Sequence, residues 1–372
     1  MVIRTITCHH AFNHGAMLQA YALAYYLQSL GHDVQVIDYS PYYSPGKAKV
    51  DFRWVPSRYD YWGIRNLYRM TKWRQRVYAQ RRRDAQESFY MRYIPVTSIR
   101  YNSIEELKNN PPVADIYIAG SDQIWNTTFP NGKDAAFYLD FGTPKRKISY
   151  AASFATRELV SGTEEFVKNK LKNFDAISVR EQSGLNLLSS LGFDGKLVVD
   201  PVFLLSRGQW DIFDNDSDDL RSGYILTYDF EPKKSPIKSI AKRLAAHYGC
   251  EIYSVTSLSS VFSYADRSYL ASGPDMFVRL IKHARCVVSN SFHGTVFSMI
   301  YGKDFFVVDR KDGLNARMQD LLSRYNMFDR LIDENVSDER LIKDIDYDGV
   351  ISRLASDIKE SKSFLQHQIE LV

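Results

Sequence analysis

Apolar runs and the turn formers between them divide the chain into a β-α-β pattern that is read twice. Residues 2–7 form an apolar run of strand length, and a polar loop follows as far as Gly15. Residues 16–30 are then apolar nearly all round, until Gly31 closes the segment. A helix without a polar face needs cover on every side. Residues 32–38 alternate as a strand does and complete a β-α-β unit. Asn13, His14 and Gly15 then fall in the loop beyond the first strand's carboxyl end, where ligands sit in open α/β sheets. Residues 40–110 are less regular and rich in Tyr, Trp and Arg, with an Arg/Lys-dense helical stretch over 65–83; they read as an insertion. Strand pattern resumes at 114–119, which runs into Gly120-Ser121-Asp122. It continues at 147–152, 175–179 and 196–199, the last ending at Asp200-Pro201.

The run Asp214-Asn215-Asp216-Ser217-Asp218-Asp219 is the sharpest break in composition and is expected to link two domains, 1–213 and 220–372. Beyond it, strands at 223–228 and 251–256 flank a helix over 235–247 that ends near Gly249. A helix at 274–284, a strand at 285–289, a helix at 292–301 closed by Gly302 and a strand at 305–309 follow. The fold class is therefore α/β. A chain of 372 residues also exceeds what one hydrophobic core usually serves, which agrees with two domains.

Composition narrows the functional classes. The 45% apolar and 25% charged residues are those of a globular protein, and a net charge of +4 is too small for a nucleic-acid binder. Cys8, Cys250 and Cys286 are odd in number, far apart and without a CxxC pair, so neither a disulfide framework nor a zinc site is expected. A reducing, cytoplasmic setting fits. No signal-type segment opens the sequence, and no apolar run reaches membrane-spanning length. With 25 Tyr, 21 Phe and 5 Trp, aromatic faces are available for stacking on sugars as well as for the core.

Several strand ends carry residues able to do chemistry. In the segment from Val287 to Thr295, a strand turns directly into a helix at Asn290-Ser291, with His293 and Gly294 in the first turn. Helix-terminal N–H groups favour an anion there, and an imidazole can transfer a proton. The same residues also fit a packed histidine behind a serine cap. Ser178-Val179-Arg180-Glu181 puts an arginine at a strand end, suited to a carboxylate or phosphate or, equally, to an ion pair with a neighbouring acid. Arg310, Lys311 and Arg317 follow another strand end, either closing over an anion or lining a solvated loop. Asp122, Gln123 and Trp125 offer an acid, an amide and an indole for a sugar, with Asn13 and His14 on the same wall; a capped helix start has the same appearance. No GxGxxG, Walker or HExxH motif occurs. The stretch 65–83, with Tyr68, Trp73 and Tyr78 among its cations, suits either an anionic membrane surface or plain solvation.

Taken in order, Asn13-x-Gly15-Ala16-x-Leu18-Gln19-Ala20-Tyr21-Ala22-Leu23, Gly120-Ser121-Asp122-Gln123-Ile124-Trp125-Asn126, Ser149-Tyr150-Ala151-Ala152-Ser153-Phe154, Ser178-Val179-Arg180-Glu181, Asp200-Pro201 and Ser291-Phe292-His293-Gly294-Thr295 resemble the polysaccharide pyruvyl transferase family. The resemblance implies a GT-B-like fold in which two Rossmann-like domains face each other across a cleft. The acceptor is expected on the N-terminal side, the donor on the C-terminal side, and the terminal helix packed back on the first domain. It also implies phosphoenolpyruvate as co-substrate, with no cofactor and no metal, and a glycan acceptor, free or lipid-linked, whose hydroxyls receive a cyclic ketal. By motif, His293 is the expected acid. Arg180, Asn290, Ser291, Gly294, Arg310, Lys311 and Arg317 are expected at the donor, with Lys311 favoured over Arg317 in the basic loop. Asp122 is expected to handle the acceptor hydroxyl, with Asn13, His14, Gln123 and Trp125 beside it. A nucleotide-sugar glycosyltransferase of the same fold, or a glycan-binding protein that keeps the cleft without catalysis, are the alternatives.

Overall fold

The computed structural model describes residues 1–11, 13–44, 64–214, 220–231, 235–256, 262–309 and 316–372. The first apolar run forms β1 (Val2–Ile6), and the all-apolar segment forms α1 (His14–Ser29). Asn13 caps this helix, its side-chain oxygen accepting from Gly15 N at 2.9 Å. The expected loop at 13–15 is therefore a cap and a first turn. Gly31, at φ 86°, turns the chain into β2 (Asp33–Tyr39).

Residues 40–110 were expected to be an irregular insertion, but they carry α2 (Ile64–Tyr93), β3 (Val96–Tyr101) and α3 (Ile104–Asn109). Thirty residues without Gly or Pro and rich in Arg sustain α2, and β3 pairs in parallel with β2 as the edge of the first sheet. With β4 (Ile116–Ala119) and β5 (Arg146–Ser149), the strand order is β3-β2-β1-β4-β5. Then α4 (Glu164–Leu171), β6 (Ser178–Val179), α5 (Gln182–Ser190) and β7 (Lys196–Leu197) follow. The last two strands are shorter than the runs at 175–179 and 196–199, and part of the first run pairs only through single bridges. Those from Ile148 to Ala176 and from Ala152 to Val179 tie the pair to the β5 side of the sheet.

After α6 (Arg207–Trp210), the second half repeats the scheme. Its elements are β8 (Tyr224–Tyr228), α7 (Ile237–Tyr248), β9 (Ile252–Val255), β10 (Arg267–Tyr269), α8 (Pro274–His283), β11 (Ala284–Ser289), α9 (Phe292–Tyr301), β12 (Asp304–Val308), α10 (Ala316–Arg324), β13 (Leu331–Ile332) and α11 (Asp338–Leu341). The strands make one parallel sheet, ordered β10-β9-β8-β11-β12-β13. β4 and β8 are buried along their whole length, as strands are when helices cover both faces of a sheet. The architecture is α/β, with two Rossmann-like units. The expected linker lies outside the described residues at 215–219, while Asp214 beside it is held by Lys282 at 2.6 Å and His283 at 2.9 Å.

One apolar cluster runs through both halves. Tyr21 of α1 meets Trp210 and Phe213, Trp210 meets Phe297 of α9, and His14 stacks on Phe277 of α8 with ring centroids 5.0 Å apart. Each fully buried ring contributes about 1.5–3 kcal/mol of transfer free energy, so the junction is packed as a core is. The final helix, α12 (Tyr347–Glu370), crosses from one half to the other. Tyr347 donates to Lys303 O at 2.6 Å, whereas further along Ser361 Oγ accepts from Val199 N at 2.9 Å and Gln368 accepts from Arg146 at 2.5 Å. The bond to Val199 fixes the residue next to Asp200.

Candidate active site

Four strand ends meet between the two sheets. β4 ends in Gly120-Ser121-Asp122, β6 in Arg180, β7 leads to Asp200, and β11 leads through Asn290 and Ser291 to His293 in the first turn of α9. Asp122 sits at φ 72°, a left-handed conformation that costs a side-chain-bearing residue about 1–2 kcal/mol. It is held there by Ile124 N and Ser153 N, which donate to its carbonyl at 2.8 and 3.1 Å.

Arg180 is the centre of the cluster. Its side chain is 1% exposed, and Nη1 donates to Asp200 Oδ2 at 2.6 Å and to Ser121 Oγ at 3.4 Å. Asp122 Oδ1 lies 3.5 Å from Nη2, and Glu181 Oε2 lies 3.5 Å from Nε. Neither Nε nor Nη2 has a hydrogen-bond partner among the described residues. The ion-pair alternative for Arg180 is thus realised, and two of its nitrogens keep N–H groups available to a ligand. Leaving such a group buried and unsatisfied costs about 1–3 kcal/mol, a cost that ligand sites commonly carry.

His293 reaches the cluster from the other half. Its side chain is 9% exposed and lies against Gly15 so closely that any Cβ placed on that glycine would overlap the imidazole. The ring therefore touches the N-terminal turn of α1 while standing in the N-terminal turn of α9. Nε2 is buried without a hydrogen-bond partner among the described residues, 3.8 Å from Asp200 Oδ2. A core histidine with satisfied nitrogens would not look like this. Burial lowers its pKa from the ordinary 6.5; Asp200 and Asp122 oppose that fall, and Arg180 and Arg317 add to it.

Arg317, on α10, completes the charged set. Its guanidinium lies 5.8 Å from the Phe292 ring, which also stacks under Arg180 at 4.4 Å. With its amide oxygen turned towards α10, Gln123 accepts from both terminal nitrogens of Arg317 at 2.7 and 3.1 Å. Burial pushes the Asp122 pKa up, but Arg180, then His293 and Arg317, bring it below 3.8, so this carboxylate is ionised. Burial raises Glu181, against the pull of Arg180. Arg310 and Lys311 lie outside the described residues.

Other expected site residues have structural employment. His14 stacks on Phe277, and burial holds its pKa at about 3. Trp125 is fully buried, donates to Phe137 O at 3.1 Å and stacks on Tyr138, so its indole belongs to the core rather than to an acceptor wall. Asn290 ties two strand ends together, donating to Asp229 at 2.8 Å and accepting from Phe230 N at 3.0 Å, instead of pointing at a donor. Ser291 caps α9, its Oγ accepting from Gly294 N at 3.3 Å. Asn13, Asp122 and Gln123 do share a cavity of about 270 Å³ with the rings of Tyr39, Tyr43 and Phe137. A second cavity, of about 340 Å³, reaches Arg180, Asp200 and Phe292. Asp200 and Gly15 carried no role in the sequence reading. The strand-end rule marks the first, but the second is legible only from the ring across from it.

The sequence model of the polysaccharide pyruvyl transferase family matches residues 13–312. A search among curated proteins found no match. Among solved structures, the glycosyltransferase SnogD from Streptomyces nogalater is 13% identical over 100% of this chain and 98% of its own, with a TM-score of 0.47. A UDP-GlcNAc 2-epimerase from Neisseria meningitidis, solved with UDP-GlcNAc, is 13% identical over 100% of both chains, at 0.45. S. aureus MnaA, solved with UDP, is 12% identical over 96% of this chain and 90% of its own, at 0.46. Likenesses this remote carry no argument about ligands.

The contact between Gly15 and His293 can be tested by its sign. Gly to Ala inside a helix normally stabilises by about 0.5–1 kcal/mol. Gly15→Ala should instead destabilise by about 1–3 kcal/mol through overpacking against the imidazole, read from urea denaturation. A more stable variant would show that the ring does not occupy this seat.

Proposed function

Because this chain belongs to the polysaccharide pyruvyl transferase family, we propose that it moves the pyruvyl group of phosphoenolpyruvate onto two hydroxyls of one sugar. The product is a cyclic ketal on a cell-surface or capsular glycan, or on its lipid-linked precursor, with release of phosphate. The observation that carries this reading is a buried imidazole nitrogen without a hydrogen-bond partner among the described residues, set among the guanidinium groups of Arg180 and Arg317 and at the N-termini of two helices. Such a place suits a small polyanion that must also receive a proton.

In this mechanism the free N–H positions of Arg180, together with Arg317, bind the donor's carboxylate and phosphate oxygens, and Arg310 and Lys311 supply further charge. His293 Nε2–H protonates the methylene carbon, making it a methyl group and leaving an oxocarbenium-like carbon that one sugar hydroxyl attacks. Loss of phosphate regenerates that electrophile, and a second hydroxyl closes the ring. One hydroxyl proton replaces the proton given up by His293, and the other leaves on phosphate. Positive charge fixed before the reaction begins stabilises the departing anion. Asp122, ionised and bordering the aromatic cavity, orients the attacking hydroxyl as a hydrogen-bond acceptor. Tyr39, Tyr43 and Phe137 offer faces for the sugar ring, with Asn13 and Gln123 at its edge.

We also propose where the reaction takes place. The three cysteines are free, as in the reducing cytoplasm. Among the described residues no helix is long and apolar enough to cross a membrane, yet α2 carries cations without a single acid over residues 64–83. Met70 on this helix is 75% exposed and Trp73 55%, with Ile64 and Leu67 exposed as well. Cations and exposed large apolar side chains together fit the headgroup layer of an anionic membrane, which would bring a lipid-linked acceptor to the cleft.

Purified protein should gain about 2.7 kcal/mol of stability at a phosphoenolpyruvate concentration 100 times Kd and none from uridine diphosphate; the reverse would favour a nucleotide-sugar enzyme. His293→Gln should fold normally and lose about 10²–10⁴-fold in transfer, followed by the mass of the ketal on acceptor oligosaccharides. Because the acid must be protonated and its pKa lies below 6.5, kcat/KM should fall as pH rises through the neutral range. For the membrane contact, the protein should sediment with vesicles containing phosphatidylglycerol and not with pure phosphatidylcholine, and Leu67→Gln with Met70→Gln should weaken that binding. Equal binding to both vesicle types, or to neither, would remove this part of the proposal.

A further inference from the structure

Asp200 has no role in the reaction as drawn above, yet it touches both halves of the site. It is fully buried at the end of β7, directly after Val199, which Ser361 of the crossing helix holds in place. Oδ1 accepts from Val202 N at 3.2 Å and caps the turn that follows. Oδ2 accepts from Arg180 Nη1 at 2.6 Å and from Ser121 Oγ at 3.0 Å, and it lies 3.8 Å from His293 Nε2. One oxygen is therefore the anion shared by a guanidinium from the first half and an imidazole from the second.

Among the described residues, charged groups act on the imidazole in both directions. Asp200 and Asp122 favour its protonated form, while Arg180 and Arg317 oppose it, as does burial. The uncharged surroundings are Gly15 at the α1 terminus and the neighbouring Phe292 ring, edge-on at 5.3 Å. Of the two carboxylates, Asp200 is the one with an oxygen within 4 Å of Nε2. We infer that Asp200 is a positioning residue for the proposed transfer: its Oδ2 keeps the proton on His293 Nε2 until the donor's methylene carbon arrives, and it holds Arg180 in register with that proton. This rests on the transferase reading for its purpose but not for its physics. When His293 gives up its proton and becomes neutral, Asp200 keeps Arg180 as its partner, so no carboxylate is left buried and alone.

Asp200→Asn tests the inference, because an amide oxygen in the place of Oδ2 can still accept from Arg180 and Ser121 while the charge is gone, and only the cap on Val202 N is lost. The imidazole of His293 is followed by NMR in protein labelled with ¹⁵N-histidine, its signal assigned by its loss in His293→Gln. The titration midpoint of His293 should fall by about one pH unit or more in Asp200→Asn, and the alkaline limb of kcat/KM should move to lower pH with it. An unchanged midpoint overturns the inference even if activity drops, because a merely structural aspartate would lower stability without moving that titration. If the wild type transfers no pyruvyl group but the midpoint still moves, the Asp200–His293 coupling stands and the transferase reading falls. Should the amide variant fail to fold, Asp200→Ser carries the same expectation.

Discussion

An arginine and a histidine can be kept from water between the halves of this molecule only because carboxylates at the ends of several strands stand among them. Arg180 alone faces Asp200, Asp122 and Glu181. An isolated guanidinium buried to this degree would be prohibitively costly, and a fully paired one would have nothing left for a ligand. The observed arrangement lies between these limits. One short, hydrogen-bonded pair with Asp200 anchors the group, whereas the two longer approaches of 3.5 Å supply charge without taking up Nε and Nη2.

That balance explains why the fold is built as it is around the junction. Parallel sheets bring their strand ends to one edge, and here two such edges meet, so that residues far apart in sequence act on one another. The packed ring cluster between α1, α8 and α9 fixes the distance between halves, and α12 ties Val199 and Arg146 into the same frame. Gly15 is a point of close contact between the two halves at the site, since the absence of its side chain is what admits the imidazole. A small side chain in one unit thus decides where a titrating group of the other can stand.

Much of this was legible in the sequence. The apolar runs located α1, α8, α9 and most strands, since period and glycine stops are local signals. The strand-end rule singled out Asp122, Arg180 and His293, which the fold brings together. It failed where a residue's role is set by a distant partner. Trp125 and His14 look like ligand-binding residues in a motif, but Tyr138 and Phe277 claim them for packing. Residues 40–110 looked irregular because α2 buries little and so shows no apolar stripe, while β3 is an edge strand with three exposed residues in a row. Asp200 was quoted within a motif without a function, because nothing local shows that its oxygen is shared.

The central claim is that the two halves supply opposite walls of a single anion pocket. Calorimetric titration of phosphoenolpyruvate into the wild type and into Arg317→Gln tests this most directly, since that arginine comes from the C-terminal half while Arg180 stays intact. The account predicts at least a tenfold loss of affinity, the scale of about 1.4 kcal/mol expected for one charge-assisted hydrogen bond. Binding of undiminished strength to the Arg317 variant would contradict it.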